Sequence, residues 1–150
     1  MPIAMFGFAF SMYFGAPPAE AAVSKNERRL VIVSSLQKFG QQKYVWLYNF
    51  LDASTISLGQ SSLAGSYKSV SVLPETSGTK TNFLNLLKTL TSYNSVKAVD
   101  VILSLHGDSS KLWFHDVSIS TSNLKNEMLA NPKKSKLRLM YNLACYGASH

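Results

Sequence analysis

The chain holds one thiol, Cys145, and it closes a run of mainly apolar residues, Leu137-Arg138-Leu139-Met140-Tyr141-Asn142-Leu143-Ala144. A second run, Val99-Asp100-Val101-Ile102-Leu103-Ser104-Leu105, closes on His106-Gly107. A thiol attacks as its thiolate, and an imidazole beside it both lowers the thiol pKa and later protonates a leaving group. Gly107 has no Cβ to shield its backbone N–H. That N–H and the N–H of Cys145 are candidates for an oxyanion hole, the donors that steady negative charge on a carbonyl under attack. Gly147 permits a sharp turn just past the thiol. A lone cysteine at the end of an apolar strand is also compatible with a small buried hydrophobe. The chemistry therefore depends on whether the fold makes the two runs neighbours.

The elements that must position these groups can be read from periodicity. Leu30-Val31-Ile32-Val33, ending in Ser34-Ser35, reads as a first buried strand. Tyr44, Leu47, Tyr48 and Leu51 have the spacing of one helix face. Residues 52–66 are rich in Ser, Gly and Thr and read as a loop. Residues 68–73 alternate, with Val70 and Val72 on one face, and predict a second strand. Residues 74–80 are turn-like. Phe83, Leu86, Leu87 and Leu90 again mark a helix. Residues 99–105 give the third strand, and 112–119 a small hairpin. Ser120 to Ser122 offer caps for a helix carrying Leu124, Met128 and Leu129, which Asn131-Pro132 stops. Residues 137–144 give the fourth strand. Such alternation predicts an α/β fold, a three-layer α/β/α sandwich with a mostly parallel sheet. Functional groups in such sheets gather beyond the carboxyl ends of the strands, where His106 and Cys145 fall.

Competing chemistries find little support. One Cys and three His, without HxxxH or CxxC spacing, do not compose a metal site. The segment Ser34-Ser35-Leu36-Gln37-Lys38-Phe39-Gly40 is not a phosphate loop, and no G-x-S-x-G elbow is present. No cofactor is implied. Asp108 could face a basic substrate side chain, but it reads better as an exposed loop acid. His115 in the hairpin reads as structural or exposed. His150 lies at the chain end.

The chain has 150 residues, 46% hydrophobic and 15% charged, which suits one domain with a modest core. Its formal net charge is +7. The lysines are scattered, and the cluster Lys133, Lys134, Lys136 lacks aromatic interleaving, so no nucleic-acid partner is expected. A single cysteine forms no internal disulfide. Residues 2–16 are almost wholly apolar, Pro17-Pro18 would break a helix, and Ala19-Glu20-Ala21-Ala22 supplies small residues. This reads as a signal peptide over 1–22, too short to span a membrane with assurance, so no stable membrane insertion is expected after its removal. A buried amino-terminal helix is the alternative. No positive charge precedes the apolar run, and no helix follows the final strand; both suggest a truncated frame.

A strand ending in His-Gly, followed by a hairpin, a helix and a strand ending in Ala-Cys, resembles the caspase-like cysteine peptidase clan. That clan includes caspases, metacaspases, legumains, gingipains, clostripain, separase and CHAT-type peptidases. The resemblance covers residues 30–147 in strand order, with His106-Gly107 and Ala144-Cys145 as its motifs. Taken with the signal peptide read over 1–22, it gives the expectation of an exported, bacterial-type member, periplasmic or extracellular, whose catalytic domain spans 23–150 and lacks its carboxyl-terminal strands. His106 and Cys145 would form the catalytic dyad of a cysteine-type endopeptidase working through a thioester acyl-enzyme, with protein or peptide substrates. The oxyanion would sit on the backbone of Gly107 and Cys145. Caspases commonly carry glutamine before Ala-Cys where this chain has Leu143, so a caspase proper is not expected. Two alternatives remain open: a catalytically silent caspase-like domain that binds a protein or peptide partner, and a generic secreted α/β binding domain.

Overall fold

The computed structural model describes residues 7–13, 23–108 and 110–146. In chain order the elements are β1 (Gly7–Tyr13), β2 (Arg28–Ser35), α1 (Val45–Ser57), β3 (Ser69–Pro74), α2 (Lys80–Ser92), β4 (Ala98–Gly107), β5 (Lys111–Trp113), β6 (Ser118–Ser120), α3 (Thr121–Leu129) and β7 (Leu137–Tyr146). The fold is α/β, with one sheet ordered β1-β7-β4-β2-β3 and the β5–β6 hairpin attached to β4.

The sheet is mixed, which corrects the expectation of a mostly parallel one. β2 pairs parallel with β3 and β4, and β4 parallel with β7. The other three pairings are antiparallel: β1 on β7, β5 on β4, and β6 on β5. Two local features produce them. A short hairpin can return only antiparallel, and it caps β4 where β2 has ended. The segment Gly7-Phe8-Ala9-Phe10-Ser11-Met12 alternates small or polar with large apolar residues, the period of a strand. It lies in the stretch read as a signal peptide; the rest of that stretch, residues 1–6 and 14–22, falls outside the described residues.

Alternation along the inner strands splits the sheet into two faces. Val31, Val33, Val99, Val101, Leu103, Leu105, Leu137 and Met140 pack with α2 and α3 through Phe83, Leu87, Leu90, Leu124 and Met128. Burying one such Leu or Phe contributes about 1.5–3 kcal/mol. Both helices begin on side-chain caps: Thr79 Oγ1 accepts from the Asn82 N–H at 3.1 Å, and Ser120 Oγ from the Asn123 N–H at 3.1 Å. On the opposite face Leu30, Ile32 and Ile102 meet Leu63, Tyr67, Val70 and Val72.

Residues 52–66, expected as loop, are largely helical. α1 runs to Ser57 and continues as a π-turn over Leu58–Ser62, closed by the Leu63 N–H to Leu58 O at 3.0 Å. Of the small residues that suggest a loop, most lie exposed on this helical segment, and Gly59 alone of the π-turn is buried. A Cβ on Gly59 would lie 1.9 Å from Ile32 Cδ1, so the turn rests this closely on the sheet with Ile32 in its present rotamer because residue 59 is glycine.

Candidate functional site

β4 and β7 extend past the apolar runs, through His106-Gly107 and Cys145-Tyr146, so these groups lie in the last residues of the strands and not beyond them. The two strands are parallel neighbours, and their register sets His106 opposite Cys145 and Gly107 opposite Tyr146. Gly107 also pairs with Leu112 of β5, and Cys145 with Gly7 of β1. Gly147 and His150 lie outside the described residues.

The imidazole of His106 is 6% exposed. It belongs to the face carrying Ile102 and α1, where the Tyr48 ring meets it edge-on, centroids 4.9 Å apart and planes at 86°. Its Nε2 lies 2.5 Å from the carbonyl oxygen of Leu36, just past the end of β2. A carbonyl can only accept, so Nε2 carries the proton and donates it. In the neutral ring Nδ1 is then the basic nitrogen. Burial holds the His106 pKa below its ordinary value, while the Leu36 carbonyl and the Glu75 carboxylate push it back up.

A second layer of polar groups surrounds this imidazole. Ser34 Oγ donates to Asp52 Oδ1 from β2 to α1, and Asp52 Oδ2 is buried without a partner among the described residues. Burial raises the Asp52 pKa. Glu75, just past β3, is the hub. Its Oε2 accepts from the Gln37 N–H at 3.1 Å. Its Oε1 accepts from the Lys38 N–H at 3.1 Å, Ser35 Oγ at 3.3 Å and His115 Nδ1 at 3.2 Å. Lys38 Nζ in turn donates to the His115 carbonyl at 2.6 Å. His115 is thus a structural member of the site's surround.

Asp108 takes no part in this cluster. Its Oδ1 accepts from Ser110 N–H, Ser110 Oγ and Lys111 N–H at 2.7, 2.9 and 2.8 Å, which pins the β4–β5 turn. Those Ser110 bonds hold its pKa below the ordinary carboxylate value. Among the described residues no three His, Cys, Asp or Glu side chains converge as a metal site. Among them, too, no helix is long and apolar enough to cross a membrane.

Periodicity marks Tyr48 as a core position, but residue type and spacing do not mark Leu36, Asp52 or Glu75 as neighbours of the site. A backbone acceptor such as Leu36 leaves no trace in residue type. Asp52 did leave one, of burial alone: it stands four residues after Tyr48, on the face marked as buried by helical spacing. Glu75 is an acid in a short turn after a strand, a position usually solvated.

No protein-family model and no curated protein sequence matches the chain.

Proposed function

We propose that the protein is a cysteine-type endopeptidase of caspase-like, three-layer architecture, exported, acting on protein or peptide substrates through His106 and Cys145. The observation that carries this reading is the parallel β4–β7 register, which pairs His106 with the chain's only cysteine. The oriented imidazole supports it further. With Nε2–H held by the Leu36 carbonyl, Nδ1 is the nitrogen left to act as a base.

In this reading Nδ1 takes the Cys145 proton, giving a thiolate and an imidazolium. The sulfur forms a bond to the scissile carbonyl carbon, and the electron pair moves onto oxygen, which the Gly107 and Cys145 N–H groups would steady once released from their strand pairings. As that pair returns, the C–N bond breaks and the imidazolium protonates the departing amine. Water, deprotonated by Nδ1, then hydrolyses the thioester and restores the thiol. Tyr141 and Leu143, 45% and 40% exposed and a few residues before Cys145, offer apolar surface to a peptide.

That same surface favours a second reading, a caspase-like domain that binds a peptide or protein without turning it over. Alkylation by iodoacetamide, followed by mass, separates the two. Peptidase chemistry predicts rapid labelling of Cys145 that slows at least about tenfold in His106→Ala. Slow labelling, indifferent to that substitution, removes the dyad and leaves the binding domain.

A further inference from the structure

The Leu36–Gln37 peptide unit is gripped at both ends. Its C=O accepts from His106 Nε2, and its N–H donates to Glu75 Oε2 at 3.1 Å. We propose that Glu75 is a positioning residue for His106, acting through this single peptide unit as the orienting acid of the site.

The geometry gives Glu75 few alternatives. Its carboxylate accepts from the backbone at Gln37 and Lys38, from the Ser35 hydroxyl and from the His115 ring. Three donors converge on Oε1 and one on Oε2, so both carboxylate oxygens are engaged. The donors come from the last residue of β2, the segment after it and the β5–β6 hairpin, and Glu75 itself follows β3, so one side chain ties three strand ends together. Gly78 closes the same knot: its N–H donates to Pro74 O at 2.9 Å, and its carbonyl accepts from the His115 N–H at 3.0 Å. A Cβ on Gly78 would meet Ser35 Cβ at 3.0 Å, so the turn carrying Glu75 fits against β2 because residue 78 is glycine.

A negative charge on the N–H side of a peptide strengthens its carbonyl as an acceptor, because hydrogen bonds in series polarise one another. Glu75 therefore does for His106 what a directly bonded carboxylate does elsewhere: it fixes the tautomer with Nδ1 bare and favours the imidazolium. Among the described residues, the other ionisable groups near these two are Tyr48 and Asp52 from α1 and His115 and Lys38 around Glu75; the strand register sets Cys145 opposite His106.

As a statement about catalysis this rests on the dyad reading; as a statement about His106 it does not, and the test exploits that. Glu75→Gln keeps the shape but loses the charge, and its amide NH2 must face a backbone N–H. Glu75→Asp keeps the charge on a shorter arm. Glu127→Gln, on the surface of α3, is the control. The nitrogen-15 NMR titration of His106 in the full chain is the first readout. The expected result is a lower midpoint in Glu75→Gln, with loss of the single Nε2–H tautomer, partial recovery in Glu75→Asp and no change in the control. The second readout is the pH–rate profile of Cys145 alkylation, expected to shift with it and to slow about tenfold at neutral pH for each unit the imidazole loses. An unchanged His106 titration in folded Glu75→Gln, or in folded Glu75→Ala should Glu75→Gln not fold, overturns the proposal. Altered titration with alkylation indifferent to His106→Ala keeps the positioning role and removes the dyad.

Discussion

The two faces of the sheet are made by the same strands and carry opposite chemistry. Toward α2 and α3, β2, β4 and β7 present Val31, Val33, Val99, Val101, Leu103, Leu105 and Met140, a nearly continuous apolar wall. Toward α1, the apolar stretch is short: Leu30, Ile32 and Ile102. On that face polar groups hold both ends. At the amino end buried Asp100 takes a two-point bond from Arg138 and one from Tyr67 OH at 2.8 Å. At the carboxyl end stand Ser34 with Asp52, and His106 with Leu36 O. Apolar burial stabilises without direction, whereas buried polar groups cost desolvation and are useful only when each finds its partner. One face therefore supplies stability, and the other trades some of it for defined geometry.

That division predicts unequal responses. Phe83 is fully buried and stacks on Phe114 with centroids 5.7 Å apart. Phe83→Ala should cost about 4 kcal/mol in urea unfolding. The His106 tautomer should stay as it is in molecules that remain folded. A tautomer change would mean the apolar face also positions the site. On the other face, Arg138→Met leaves the Asp100 carboxylate buried with only Tyr67. Because a third of the Arg138 side chain is exposed, the loss should be about 2 kcal/mol, below that of a fully buried pair. Adding Asp100→Leu should recover most of it. Failure to recover would show that the pair adds net stability beyond its desolvation cost.

The wall was legible in the sequence and the polar face was not. Residues 99–105 and 137–144 announce strands by apolar content, and Phe83, Leu87 and Leu90 announce a helix by spacing; α2 buries those three. Periodicity reports burial on one face of one element. It carries no information on which strands are neighbours, so the pairing of His106 with Cys145 needed the sheet order. It also passed over groups whose role is set by long-range partners. Glu75 bonds to Gln37 across 38 positions, and Leu36 acts through its carbonyl alone. Residues 52–66 misled because glycine and serine signal a loop by composition, while here Gly59 signals contact between a helical turn and Ile32. β1 was masked by its apolar density, which hid the alternation of Gly7, Ala9 and Ser11 with Phe8, Phe10 and Met12.

The smallest predicted effect is the one that best isolates the carboxyl end of the polar face, because burial acts on His106 and Asp52 with opposite slopes. His106 has its pKa lowered by burial from 6.5. Above 6.5 its ring is neutral whether folded or unfolded, and its contribution to stability is complete. As pH falls from 6.5 toward the lower folded value, the unfolded chain binds a proton that the folded chain refuses, and stability drops. Asp52 has its pKa raised by burial from 3.8. Below 3.8 its carboxyl is neutral in both states. As pH rises from 3.8 toward the higher folded value, the unfolded chain ionises first, and stability again drops, remaining reduced above that value. Urea unfolding across pH should therefore show His106→Gln flattening the slope just below 6.5. Asp52→Asn should flatten the slope just above 3.8 and make the neutral protein more stable than the wild type. If Asp52→Asn instead lowers stability at neutral pH, the Ser34–Asp52 bond depends on the charge. The carboxyl end of that face would then be stabilised by an anion that burial alone would disfavour.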